Sequence, residues 1–146
     1  SLHDALPIYL FSEVSYSRGS PRPLFLGATS KAILANMTSR QHRQLFLENP
    51  DEVRASHLGQ TWEQFRRSLQ QLRRQGYVAS AAEIDRGVYG LAAPIFDSDG
   101  KVVGSISCLR PIQERDNAQE AQQGAHMQAL AQALSQRMAT LTHRPA

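Results

Sequence analysis

The stretch from Gly76 to Ser107 constrains the fold of this chain more than any other. It reads as a short strand, a loop carrying Glu83, and two further strands joined at Asp97-Ser98-Asp99-Gly100, where glycine supplies the positive φ that a tight hairpin requires. Strands are expected at Tyr77 to Ser80, Val88 to Phe96 and Val102 to Leu109. A hairpin this regular needs one face covered. The rest of the sequence supplies helices to cover it.

Ser17 to Pro23 holds Gly19, Pro21 and Pro23 and is a loop. Gly27-Ala28-Thr29-Ser30 leads into a helix over Lys31 to Met37, with Thr29 or Ser30 as its N-cap. A second helix follows a Thr38 or Ser39 cap and runs to about Asn49, where Pro50 stops it. From Pro50 to Gln60 the signals are weak and irregular structure is expected. Thr61 stands three residues before Gln64, a capping-box spacing, and Trp62, Phe65, Leu69 and Leu72 form one apolar stripe on a helix ending at Gly76. The final helix is expected from Arg115 to about Leu141, with Met127, Leu130, Leu134, Met138 and Leu141 as its core-facing stripe.

At 146 residues the chain is one domain by the usual prior. It contains no run of about 18 apolar residues, so no span of a membrane is expected, and its start lacks the features of a secretion signal, which leaves the cytoplasm as the expected compartment. A single cysteine, Cys108, excludes an internal disulfide. The formal charge of +3 raises the question of nucleic acid, but the arginines are spread along the chain with acids between them. The Arg66, Arg67, Arg73 and Arg74 face of the helix that ends at Gly76 reads as solvated surface, with direct DNA binding as a weaker rival.

Enzyme motifs are absent: there is no Gly-x-Ser-x-Gly elbow, His-Glu-x-x-His, P-loop or dinucleotide fingerprint, and the five histidines lack metal spacing. No cofactor or metal is expected. What remains is a place for an anion. The Gly27 to Ser30 helix start offers unpaired backbone N–H groups, small side chains and two hydroxyls, with Lys31 adding charge nearby. On the last strand, alternation places Val103, Ser105, Ser107 and Leu109 on one face, and Cys108 on the other as a small core residue. Two serines on one buried face would need polar partners, which a polar ligand or water can supply.

Two blocks carry a family resemblance. Gly76-Tyr77, Ser80 to Glu83, Gly87, Ala92-Ala93-Pro94, Phe96-Asp97, Gly100 and Val102-Val103 form one, and Pro23-Leu24 through Lys31-Ala32-Ile33-Leu34-Ala35 the other. Together, in this order, they resemble the effector-binding domain of the IclR family of bacterial transcription regulators, over roughly Ser15 to Leu141. The resemblance implies an α+β, GAF-like domain, a mixed or antiparallel sheet flanked by helices, that binds a small organic acid, passes that state to DNA through an N-terminal winged helix-turn-helix, and assembles as a homodimer or homotetramer. It implies a pocket lined by Ala28, Thr29, Ser80, Gly90, Ser107 and Leu109, and no catalysis.

This sequence departs from the family pattern in two places. Ser30 stands where many members have glycine, and Leu109-Arg110-Pro111 stands where they have Ser-Gly-Pro. Leucine in place of a polar pocket residue points to a bulkier or more apolar acid, an aromatic one included. Glu83, a carboxylate beside a pocket for acids, is assigned to a hydrogen bond that fixes its loop. Ser1 to Ile8 resembles translated sequencing-adaptor DNA, with a weakly structured native start as the alternative. The expected organisation is residues 1–11 outside the fold, 12–141 as the effector-binding domain, with Tyr9 to Tyr16 supplying one strand, and 142–146 as a frayed tail. The DNA-reading half is expected to precede this chain. The rival reading is a stand-alone GAF-like small-molecule or redox module working through Ser105, Ser107 and Cys108.

Overall fold

The Asp97 to Gly100 turn closes as the sequence demands: Asp97 Oδ1 accepts from the N–H groups of Asp99 and Lys101, each at 2.9 Å, and Gly100 has φ 78. The computed structural model of the chain describes residues 18–142. Its helices are α1 (Ala28–Ala35), α2 (Ser39–Glu48), α3 (Pro50–Ala55), α4 (Trp62–Gln75) and α5 (Asn117–Thr142). Its strands are β1 (Val78–Ala81), β2 (Val88–Phe96) and β3 (Val102–Pro111), and a 3-10 turn (Ile112–Glu114) precedes α5. The expected strand at Tyr9 to Tyr16, the first eleven residues and the tail beyond Thr142 lie outside the described residues.

The strands pair in the order β1-β2-β3, antiparallel throughout, in register Ser80 with Gly90, Gly90 with Leu109 and Ala92 with Ser107. The sheet is therefore antiparallel, and with helices on both faces the domain is α+β. β2 is central and alternates accordingly. Tyr89, Leu91 and Ala93 pack with Met127 and Ala131 of α5, whereas Ala92 packs with Ala28 and Ala32 of α1. Alanines at the second interface let α1 lie close to the sheet, which fixes where the start of that helix falls.

A separate helical core holds α1, α3 and α4 together. Phe25, Leu34, Val53, Phe65 and Leu69 are buried in it, and Phe65 meets the rings of Phe25, Phe46 and Trp62 at centroid distances of 6.3, 5.6 and 6.2 Å. The expected capping box of Thr61 with Gln64 forms, and a second one, Thr38 with Gln41, makes Thr38 rather than Ser39 the cap of α2. Helix α4 ends at Gly76 as read.

Five readings need correction. The α1 N-cap is Gly27, not Thr29 or Ser30, because Gly27 takes φ 83 and ψ 154, and the helix starts there with no side-chain cap. Pro50 begins α3 instead of opening an irregular stretch; at the first helical position its missing N–H costs nothing, Asp51 and Glu52 favour the helix start, and Val53 buries the one apolar side chain. The α5 stripe is displaced. Met127 is buried, but Leu130, Leu134, Met138 and Leu141 are exposed, because the sheet approaches α5 through Gly124 and Ala131. A Cβ on Gly124 would stand 2.5 Å from the Tyr77 ring. β1 also runs one residue later than expected, and α5 starts at Asn117, not Arg115, after the 3-10 turn.

His42 of α2 is buried, with its Nε2–H donating to Leu34 O near the end of α1. Burial pushes its pKa below the ordinary value and the Arg73 charge adds to this, against the opposing effect of the Leu34 hydrogen bond. The unfolded chain then binds more protons than the native state, so stability is retained above about pH 6.5 and falls as pH drops through that range. Urea midpoints at pH 7.5 and 5.5 should show this fall, and His42→Gln, which can still donate to Leu34 O but does not titrate, should flatten it.

Candidate functional site

The first turn of α1, β1 and the 82–87 loop meet around one carboxylate. Glu83 accepts from the Gly27 N–H at 3.0 Å through Oε2 and from Lys31 Nζ at 2.9 Å through Oε1, and Lys31 Nζ is also 2.9 Å from Oε2. The nearby Ser80 side chain also favours the ionised form of this carboxyl. Burial opposes ionisation of Glu83, but the Lys31 and Gly27 hydrogen bonds, the Lys31 charge and Ser80 outweigh it and hold its carboxyl below the ordinary carboxylate value. Glu83 thus fixes its loop, and it also neutralises Lys31, so the lysine is no spare cation for a bound anion.

Glycine is required at position 27 by its φ of 83, and a Cβ there would also push on Ile84 Cδ1, 2.7 Å away. The loop carrying Ile84 is pinned by Ala82 N–H donating to Val88 O at 2.9 Å, Val88 N–H to Asp85 O at 3.1 Å and Ile112 N–H to Gly87 O at 2.8 Å. Beneath it lies a cavity of about 30 Å³ lined by Ala28, Thr29, Ser80, Gly90 and Leu109 together with Arg22, Gly27, Glu83, Ile84, Asp85 and Val88. A Cβ on Gly90 would come within 3.3 Å of Leu109 Cδ2 and 3.5 Å of Ala28 Cβ, so Gly90 keeps the floor open. The α1 start adds first-turn N–H groups with no carbonyl partner inside the helix, which favour an anion.

Five of the six residues expected from the sequence therefore meet, and Ser107 does not join them. Ser107 is exposed on β3, which is an edge of the sheet among the described residues, and borders a separate groove of about 590 Å³ between β3 and α5 with Arg110 and His126. Ser105 has its partner within the protein: its hydroxyl donates to Thr29 O at 3.0 Å, tying β3 to α1. Neither serine calls for a ligand on grounds of burial. Arg22 and Asp85 were missed. Arg22 sits between Pro21 and Pro23 in a stretch read only as a loop, and the one hint of its role was a cation directly ahead of the Pro23-Leu24 block.

The arginine face of α4 is largely committed. Arg66 and Arg67 both bond Glu63, and Arg73 donates to Met37 O at 3.0 Å. Cys108 lies with Leu91 and Met127 on the α5 side, away from the cavity. Among the described residues no cluster of His, Cys, Asp or Glu has the arrangement of a metal site, and no helix is long and apolar enough to cross a membrane.

Residues 10–136 match the family described as bacterial transcriptional regulator IclR C-terminal. Among solved structures, the chain is similar to the repressor BlcR of Agobacterium tumefaciens, with 23% identity over 86% of this chain and 51% of that one at a TM-score of 0.71. It is similar to a C-terminal domain from Vibrio cholerae described as that of a transcriptional regulator, at 29% identity, 82% and 68% coverage and TM-score 0.66. The C-terminal domain of the Escherichia coli transcriptional regulator KdgR gives 24% identity, 83% and 74% coverage and TM-score 0.69. The chain spans about half the length of BlcR. No curated protein matches the sequence.

Proposed function

We infer that this domain senses a small organic acid, from the premise that the chain belongs to the IclR family of bacterial transcriptional regulators, matching its C-terminal domain over residues 10–136. That membership gives the chain a regulatory, effector-binding role and makes it a regulator domain, not an enzyme. The finer reading is that the effector is a small organic acid, aromatic ones included, that residues 12–141 form the binding unit, and that the unit forms a homodimer or homotetramer. Its output would be DNA binding by a domain N-terminal to the residues present here, in the cytoplasm.

One observation carries the reading: Ala28, Thr29, Ser80, Gly90 and Leu109, from four different elements, line a single cavity at the start of α1. The helix start favours a carboxylate, and Leu109 with Gly90 provides an apolar floor. Control of a second domain requires the acid to bind one of two conformations better than the other, since equal affinity shifts nothing.

The test is amide NMR mapping with pyruvate, succinate and benzoate as probes. At least one acid should shift the amides of Ala28, Thr29, Gly90 and Leu109 saturably, and Gly90→Val, which fills the floor, should weaken that acid at least 100-fold. Saturable shifts confined to other residues, or none with any of the three, would contradict the assignment.

A further inference from the structure

The cavity is too small for the function inferred above. About 30 Å³ holds a water molecule or two, whereas pockets for organic ligands run to hundreds of cubic ångströms. Something must move, and the 82–87 loop is a wall that belongs to no strand or helix. Its ends are tied to the sheet through Ala82 N–H to Val88 O and Ile112 N–H to Gly87 O, and Asp85 O accepts from Val88 N–H. Ala82, at φ 58, is in a left-handed conformation that alanine resists. Between those ends, Glu83 ties the loop to α1 through the Gly27 N–H and Lys31 Nζ.

We propose that Glu83, held by Lys31 and the Gly27 N–H, is a clasp that keeps the loop shut over the cavity, and that a carboxylic acid is admitted by replacing Glu83 on Lys31. The proposal rests on the acid-sensing reading and explains why an acid would be selected. Lys31 is buried, 8% exposed, and Glu83 supplies its counter-charge. Opening the loop leaves an ammonium in a low-dielectric site without a partner, which is costly. A ligand carboxylate restores the pairing; a neutral ligand of the same shape does not. Opening also frees Ile84 from its position over Gly27 and enlarges the cavity on the side where Thr29 and Ser80 stand. The clasp thereby sets apparent affinity, because an acid that binds only the open form is weakened by the fraction of molecules that are closed.

The test is amide hydrogen exchange on the 146-residue chain, which needs no ligand. Glu83→Gln and Lys31→Gln should each speed exchange at Ala82 and Val88 at least tenfold, with the β2–β3 ladder amides unchanged as the control for folding. Unchanged rates at Ala82 and Val88 in both variants would overturn the clasp and leave acid sensing standing. Benzoate should then bind Glu83→Gln at least fivefold more tightly than the wild type, and Lys31→Gln at least tenfold more weakly. Benzamide, its neutral counterpart, should bind all three proteins equally poorly. Faster exchange with benzoate and benzamide bound alike would overturn the exchange of carboxylates, and with no acid bound to any protein it would overturn acid sensing while the clasp survived.

Discussion

Phe65→Ala is expected to lower the free energy of unfolding by about 3–5 kcal/mol. Phe65 is fully buried and joins α4 to Phe25 ahead of α1, Phe46 on α2 and Trp62 on its own helix. His42 also meets the ring edge-on, at 6.4 Å. Removing it leaves a void bounded by several elements, none of which can close it alone. The loss is a large share of the 5–15 kcal/mol that holds a typical domain together. Equilibrium urea unfolding reads it directly, and a cost below about 1 kcal/mol would mean that the helical core does not depend on this ring. Phe65→Leu, which keeps much of the volume, should recover more than half of the deficit.

The second large effect is at the site. Lys31→Met removes the counter-charge of Glu83 while preserving most of the side-chain volume. Breaking a buried pair from one side costs about 3–5 kcal/mol, and the 24% exposure of the Glu83 side chain reduces this to about 2–3 kcal/mol. Adding Glu83→Gln to Lys31→Met should restore a good part of the loss, so the double-mutant cycle should show strong coupling. The pH dependence has a definite sign. In the wild type Glu83 is depressed, so its contribution is present above about pH 4.3 and disappears as pH falls through its lower native value. In Lys31→Met the Lys31 hydrogen bond and charge that lower the carboxyl are gone while burial still opposes ionisation, so Glu83 is depressed less than in the wild type and the gap between mutant and wild type should narrow on acidification. A gap that stays constant from pH 7 to pH 3.5 would mean that the pair contributes nothing electrostatic.

Local chemistry was legible in the sequence wherever the interaction is local. The α2 cap at Thr38 or Ser39, Thr61 with Gln64, the Gly100 turn and the bounds of β2 depend on residues within a few positions of one another, and all four were found where read. The α1 start was misread because its cap is decided across the chain: Gly27 takes φ 83 with its N–H on Glu83, 56 residues away, and with Ile84 overhead. α3 was missed because Pro50 ends one helix and begins the next, two roles a sequence does not separate. For α5, periodicity identified the helix but chose the wrong face, since close approach to the sheet favours Gly124 and Ala131 over the larger leucines.

The site divides in the same way. The family resemblance pointed to Gly90 and Leu109, which do line the cavity, and strand alternation assigned Cys108 to the opposite face. Alternation alone could not show that Ser107 is exposed on an edge strand, or that Ser105 is already satisfied by Thr29 O. Reading Glu83 as a loop-fixing carboxylate was correct in kind. That its partner is Lys31, the cation counted beforehand as help for a bound anion, emerged only from the packing.

Acid sensing at the start of α1 is the central claim, and thermal unfolding with pyruvate, succinate and benzoate tests it most directly. An acid present at 100 times its Kd adds about 2.7 kcal/mol, equivalent to a rise of about 8 °C in Tm for a domain of this size. The account predicts such a rise with at least one acid, absent with the matching amide and absent in Gly90→Val. Cooperative melting that none of the three acids shifts, or a shift that survives intact in Gly90→Val, would contradict it.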